Sequence, residues 1–173
     1  MQKFIIISEN SLMKNIKTDK PAALLIGIGN SGRSDDGAGW LFADMAAHLP
    51  NLHCEYRYQL QIEDAELVSR YDRVFFADAS HIALPDGFEI KRIKAAGHFY
   101  YSSHLQSPET ILYLARMLYD RNPVAYTIAL EGDNWSLGTE AGPVVKHHLQ
   151  AAYTYFEKHL LPADDCPVSF IRT

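Results

Sequence analysis

The sequence predicts an α/β fold, a three-layer sandwich whose twisted, mostly parallel five-stranded sheet is flanked by helices. Two observations carry this expectation. Short apolar runs bounded by turn residues (22–26, 52–58, 73–77, 87–93 and 124–130) alternate with segments of helical periodicity, the pattern of strand–helix–strand units. The first of these runs feeds a glycine turn, Gly27-Ile28-Gly29-Asn30, that leads into a helix, and open α/β sheets keep their sites at such turns outside the carboxyl ends of the strands.

Taken in order, residues 1–21 read as an N-terminal extension and 22–173 as one α/β domain. The extension holds the run Phe4-Ile5-Ile6-Ile7 and then Lys14, Lys17 and Lys20; an extra edge strand, a tail and a vector-derived leader all fit it, and Met13 is an alternative start. After the strand at 22–26, Ala38, Leu41, Phe42, Met45, Ala46 and Leu49 recur at helical spacing and predict a helix over 37–49. A strand follows at 52–58, then a short helix over 62–71 with Ala65, Leu67 and Val68 inward. Arg73-Val74-Phe75-Phe76-Ala77 is a continuous apolar run, as expected of a buried parallel strand, and it ends at Asp78. Residues 87–93 alternate enough to form another strand. Ser107-Pro108-Glu109 opens a helix with an N-cap serine, a proline at its first position and an acid in its first turn; Ile111, Leu114, Ala115 and Leu118 form its expected inner face. After the strand at 124–130, a last helix starts near Gly142-Pro143 and buries Val145, Leu149, Ala152, Phe156 and Leu160, leaving Lys146, Gln150 and Lys158 in water.

Composition narrows the function. A chain of 173 residues that is 47% hydrophobic fills one domain and is too short for two ordinary ones. The net charge of −5 and the lack of a Lys/Arg cluster argue against nucleic acid as a partner. Cys54 and Cys166 lie far apart and form no C-x-x-C pair, which suits a reducing, cytoplasmic setting. No apolar run approaches the roughly 20 residues of a membrane-spanning helix, so no membrane partner is expected.

The first turn carries the most chemistry. Gly27, Gly29 and Gly32 have G-x-G-x-x-G spacing, and Glu55, about 20 residues on, is a candidate ribose-binding acid; a non-enzymatic nucleotide (NAD-like) or metal-binding module is therefore the alternative reading. Against a nucleotide stand Asp35 and Asp36, whose charges sit where a pyrophosphate would seek the positive helix end. Either aspartate also has the ordinary role of a helix N-cap.

If the sheet is parallel, Asp36 beyond the first strand, Asp78 at the end of the third and His104 in the loop before Ser107-Pro108 converge on one edge. Two carboxylates and one imidazole suit a divalent transition ion with positions left open, and such an ion polarises a carbonyl or acidifies a water. Asp78 has an equally ordinary reading as a turn former, and His81 and His98 compete with His104, whereas His147 and His148 read as surface positions of the last helix. There is no H-E-x-x-H, no G-x-S-x-G and no cysteine in a nucleophile context, which excludes an ordinary zincin and disfavours serine or cysteine hydrolases.

The turn from Gly27 to Gly39, the strand end Phe76-Ala77-Asp78-Ala79 and His104 followed by Ser107-Pro108 resemble, in order and spacing, the nickel-iron hydrogenase maturation proteases. The resemblance runs from about Ala22 to Leu160 and takes in Tyr58-Gln59-Leu60, Gly132-Asp133 and Leu137-Gly138. It implies an endopeptidase that removes the carboxyl-terminal extension of a hydrogenase large-subunit precursor after nickel insertion. It also implies that Asp36, Asp78 and His104 form the catalytic and metal-binding set, while Gly29, Asn30, Asp35 and Gly37 shape the turn against the substrate. The nickel would be the substrate's own, no resident cofactor would be required, and a cytoplasmic monomer is expected. Two departures stand out: the first ligand is the shorter Asp36 where the family also uses Glu, and the Gln59-Leu60 pair replaces a glycine-rich segment of some members, which bears on the precursor accepted.

Overall fold

The computed structural model describes residues 23–98 and 106–161. Five strands, β1 (Ala23–Ile28), β2 (Leu52–Arg57), β3 (Arg73–Ser80), β4 (Phe88–Ile93) and β5 (Val124–Glu131), form one sheet in the order β2-β1-β3-β5-β4. Every pairing is parallel except β4 with β5, so the sheet is mixed at one edge only. The helices are α1 (Ala38–Ala46), α2 (Asp64–Val68), α3 (Pro108–Tyr119) and α4 (Pro143–Tyr155).

Side-chain alternation along the inner strands divides the core in two. Leu25, Phe75 and Ile128 face α1 and α4, where Phe42, Val145, Ala152 and Phe156 are fully buried. Leu24, Ile26, Val74 and Phe76 face α2 and α3 and meet Val68, Ile111, Leu112 and Ala115. Each fully buried side chain of this size contributes about 1.5–3 kcal/mol, so both faces of β1 and β3 hold the helices firmly. The Phe42, Phe75 and Phe156 rings pack edge to face, with centroids 4.9 to 5.5 Å apart.

Several boundaries differ from expectation. The strand expected to end at Asp78 runs on to Ser80, because β5 continues to pair with it as far as Glu131. The helix expected over 62–71 is the five-residue α2, and α1 stops at Ala46. On α3 Leu112 is buried beside the expected Ile111 and Ala115, whereas Leu118 is 65% exposed: α2 is too short to cover the last turn of α3. The α4 face is as expected, with Val145, Leu149, Ala152, Phe156 and Leu160 all buried, the last two in a π-helical turn, Phe156–Leu160.

This topology fixes where a site can form. The chain turns one way from β1 to β2 and the other way to β3, so the switch point of the sheet lies between β1 and β3, where a crevice opens at the carboxyl edge.

Candidate functional site

The β1–α1 connection and the end of β3 flank that crevice. After Ile28 the backbone turns sharply at Gly29, whose φ of 134° is open only to glycine; a Cβ there would lie 1.9 Å from the Asp36 carbonyl oxygen. The Asn30 N–H donates to that same carbonyl, and Asn30 Oδ1 accepts the N–H of Gly32 at 2.9 Å, so Asn30 ties both ends of the turn. A 3-10 turn, Ser34–Gly37, then leads into α1. Gly39 lets that helix press on the sheet, since a Cβ would meet the carbonyl oxygens of Ile28 and Ala77 at 2.2 and 2.3 Å.

These glycines therefore serve helix–strand contact, and Gly29 is already filled by Asp36's own backbone. Glu55, the candidate ribose acid, is bound within the protein by His53 at 3.1 Å and Arg57 at 2.9 Å. The nucleotide reading loses both its loop and its acid.

Asp36, in the 3-10 turn, is half-buried, and Asp78, on β3, points to the same face as Phe76, toward α3. Beside Asp78 lies a depression of about 250 Å³ lined largely by apolar groups, among them Ile28, Phe76, Ile128 and Pro108 at the start of α3. Although Asp78 itself is exposed, loss of hydration pushes its carboxyl up to about 6, the Asp36 charge adds to the rise, and the Ala79 N–H donating to Oδ1 at 2.8 Å opposes it. Among the described residues no cation pairs with either aspartate, whereas the Glu55 and Asp64 carboxylates share Arg57. A pair of carboxylates left in this state fits a divalent cation or a proton as its missing partner. Asp36 and Asp78 are thus brought into electrostatic contact; His104 lies outside the described residues, and among those described no three His, Cys, Asp or Glu side chains gather as a metal site. His81 instead stacks on Trp135, with ring centroids 3.4 Å apart. His148, expected at the surface, is half-buried against the Glu131 carbonyl oxygen at 2.9 Å.

Asp35 departs from the N-cap reading. Its carboxylate caps nothing on its own helix and is fully buried. Oδ1 accepts the Gly142 N–H at 2.8 Å and Oδ2 accepts those of Asp133 and Asn134 at 3.0 Å each. Burial alone would raise this carboxyl, but the three backbone donors together hold it below its ordinary value. The partners lie 98 to 107 residues downstream, in the loop between β5 and α4, and only its turn-forming Asp133-Asn134 pair hints at the role in the sequence.

No protein-family model and no curated protein sequence matches the chain. Solved structures do. The NiFe hydrogenase maturation protease HycI from Thermococcus kodakarensis KOD1 superposes with a TM-score of 0.59 at 21% identity, over 81% of this chain and 93% of that one. The hydrogenase maturating endopeptidase HybD from E. coli gives 0.59 at 18% identity, over 76% and 87%. The hydrogenase 2 maturation peptidase from Thaumarchaeota archaeon SCGC_AB-539-E09 gives 0.57 at 17% identity, over 78% and 96%. The chain thus has the fold of the NiFe hydrogenase maturation proteases.

Proposed function

We propose that this chain is an endopeptidase that trims the carboxyl-terminal extension of a nickel-iron hydrogenase large-subunit precursor once nickel has been inserted. The observation that carries the reading is the uncompensated Asp36–Asp78 pair at the switch point of a maturation-protease fold. Solved neighbours named as hydrogenase maturation proteases support it, as do the motif resemblances around Asp36, Asp78 and His104.

Asp36 and Asp78 take hold of the nickel that the precursor carries, and His104, four residues before Pro108 in the sequence, supplies the imidazole. Without that cation the pair repels itself, and part of the cost is relieved by a proton on Asp78. The nickel-loaded precursor supplies the missing positive charge, so its binding is favoured over the nickel-free form by the same electrostatics that disfavours the empty pair. Cleavage conditional on nickel follows, with the metal arriving as part of the substrate and no resident cofactor needed. The apolar depression beside Asp78 is suited to receive apolar side chains flanking the scissile bond. The protein acts as a monomer in the cytoplasm.

Asp36→Asn, Asp78→Asn and His104→Ala should each lower processing of a nickel-loaded precursor by about 100-fold or more, read by mass spectrometry of the released tail, with cooperative melting retained. Full processing by any of them removes that residue from the site.

A further inference from the structure

The Asp35 carboxylate is a buried charge that the proposed chemistry does not use, and it joins two loops that the chain keeps far apart. One is the turn that presents Asp36. The other, residues 132–142, leaves β5 beside the end of β3, where the Gly132 N–H donates to the Ser80 carbonyl, and carries the half-buried Trp135, which lies over Gly132 and His81, and Leu137, which is 87% exposed. Backbone bonds reinforce the joint: Ser34 N–H to the Gly138 carbonyl at 2.7 Å, Gly138 N–H to that of Gly32 at 3.0 Å, and Asp35 N–H to that of Asn134 at 3.0 Å.

Among the described residues this carboxylate is the side chain that binds both ends of the second loop, Asp133 and Asn134 at its start and Gly142 at its finish. An asparagine has nearly the same shape but one oxygen; its amide nitrogen would face backbone N–H groups on one side or the other. The geometry points to Asp35 as a positioning residue that fixes the turn presenting Asp36 against the loop that carries Trp135, so that Asp36 meets the precursor's nickel in one set geometry. This rests on the maturation-protease reading of Asp36.

The test uses Trp135 as its reporter. The chain has two tryptophans, so in a Trp40→Phe background Trp135 alone emits, and its stacking on His81 sets that emission. Adding Asp35→Asn should change the Trp135 emission and lower kcat on a nickel-loaded precursor by about tenfold or more, with KM moving less than about threefold, the mark of a misplaced catalytic group. In the unsubstituted protein, hydrogen exchange should find the Asp133, Asn134 and Gly142 amides protected although they lie in a loop. That measurement stands even if Asp35→Asn fails to fold. Fast exchange at those amides, unaltered emission, or altered emission with unaltered kcat would each overturn the assignment. Failure of the unsubstituted protein to cleave any nickel-loaded precursor would instead sink the protease reading, while emission and exchange would still judge whether Asp35 couples the loops.

Discussion

Two acidic regions of this molecule lie at neighbouring strand ends and have opposite fates. At the end of β2, Glu55 and Asp64 share the Arg57 guanidinium at 2.9 and 2.7 Å, His53 lies 3.1 Å from Glu55, and Asp64 also accepts the Gln61 N–H at 2.9 Å. Beyond β1 and at the end of β3, the Asp36 charge acts on Asp78, and no cation among the described residues pairs with either. The first arrangement is a structural network whose charges are spent on holding β2 to α2. The second keeps its charges available, at the cost of raising Asp78. The proposed function rests on the region where electrostatics is left incomplete.

The sharpest way to break this comparison is to neutralise one acid in each region. Asp78→Asn should remove most processing activity, about 100-fold or more, while Glu55→Gln should leave kcat within about twofold; equal losses would erase the distinction. Stability should respond in the opposite order. Arg57→Ala strands the buried Asp64 carboxylate and should cost about 3 kcal/mol in denaturant unfolding.

Asp78 sharpens the contrast through pH. Its carboxyl is held up to about 6 against the ordinary 3.8, so the folded chain keeps a proton that the unfolded chain has released. Stability from this group falls as pH rises from about 4 to 6 and stays lower above that. Asp78→Asn should thus be more stable than the parent at pH 8, by about 1 kcal/mol after allowing for solvent screening at an exposed site, and the gain should vanish below pH 4. Asp35 runs the other way: its lowered carboxyl contributes stability above its unfolded value that is lost as pH falls through the folded one. The smallest effect belongs to the exposed i,i+4 pair of Arg70 with Glu66, whose removal by Arg70→Ala should leave the denaturant unfolding midpoint indistinguishable from the parent's.

Much of this was legible in the residues. Strand number, the inner face of α4 and the placement of Asp36 and Asp78 at one edge follow from periodicity and from the parallel topology it implies. The antiparallel β4 was also within reach: residues 81–87 are too few for a crossover back to the amino edge, so β4 has to run the other way. The exposure of Leu118 was not, because it depends on the length of α2, a separate element. Nor was the pairing state of the acids. Glu55 and Asp36 look alike in the sequence, and only the fold shows that Arg57 reaches one and not the other. The Asp35 clamp was hidden for the same reason, its donors lying about a hundred residues away.

The central claim, that an unfinished pair of charges waits for a cation carried by the substrate, is tested most directly by offering the protein a cognate large-subunit precursor with and without nickel and weighing the products by mass spectrometry. The account predicts loss of the carboxyl-terminal tail from the nickel-loaded form alone. Equal cleavage of both forms would contradict the role given to Asp36 and Asp78, and cleavage of neither would contradict the protease assignment itself.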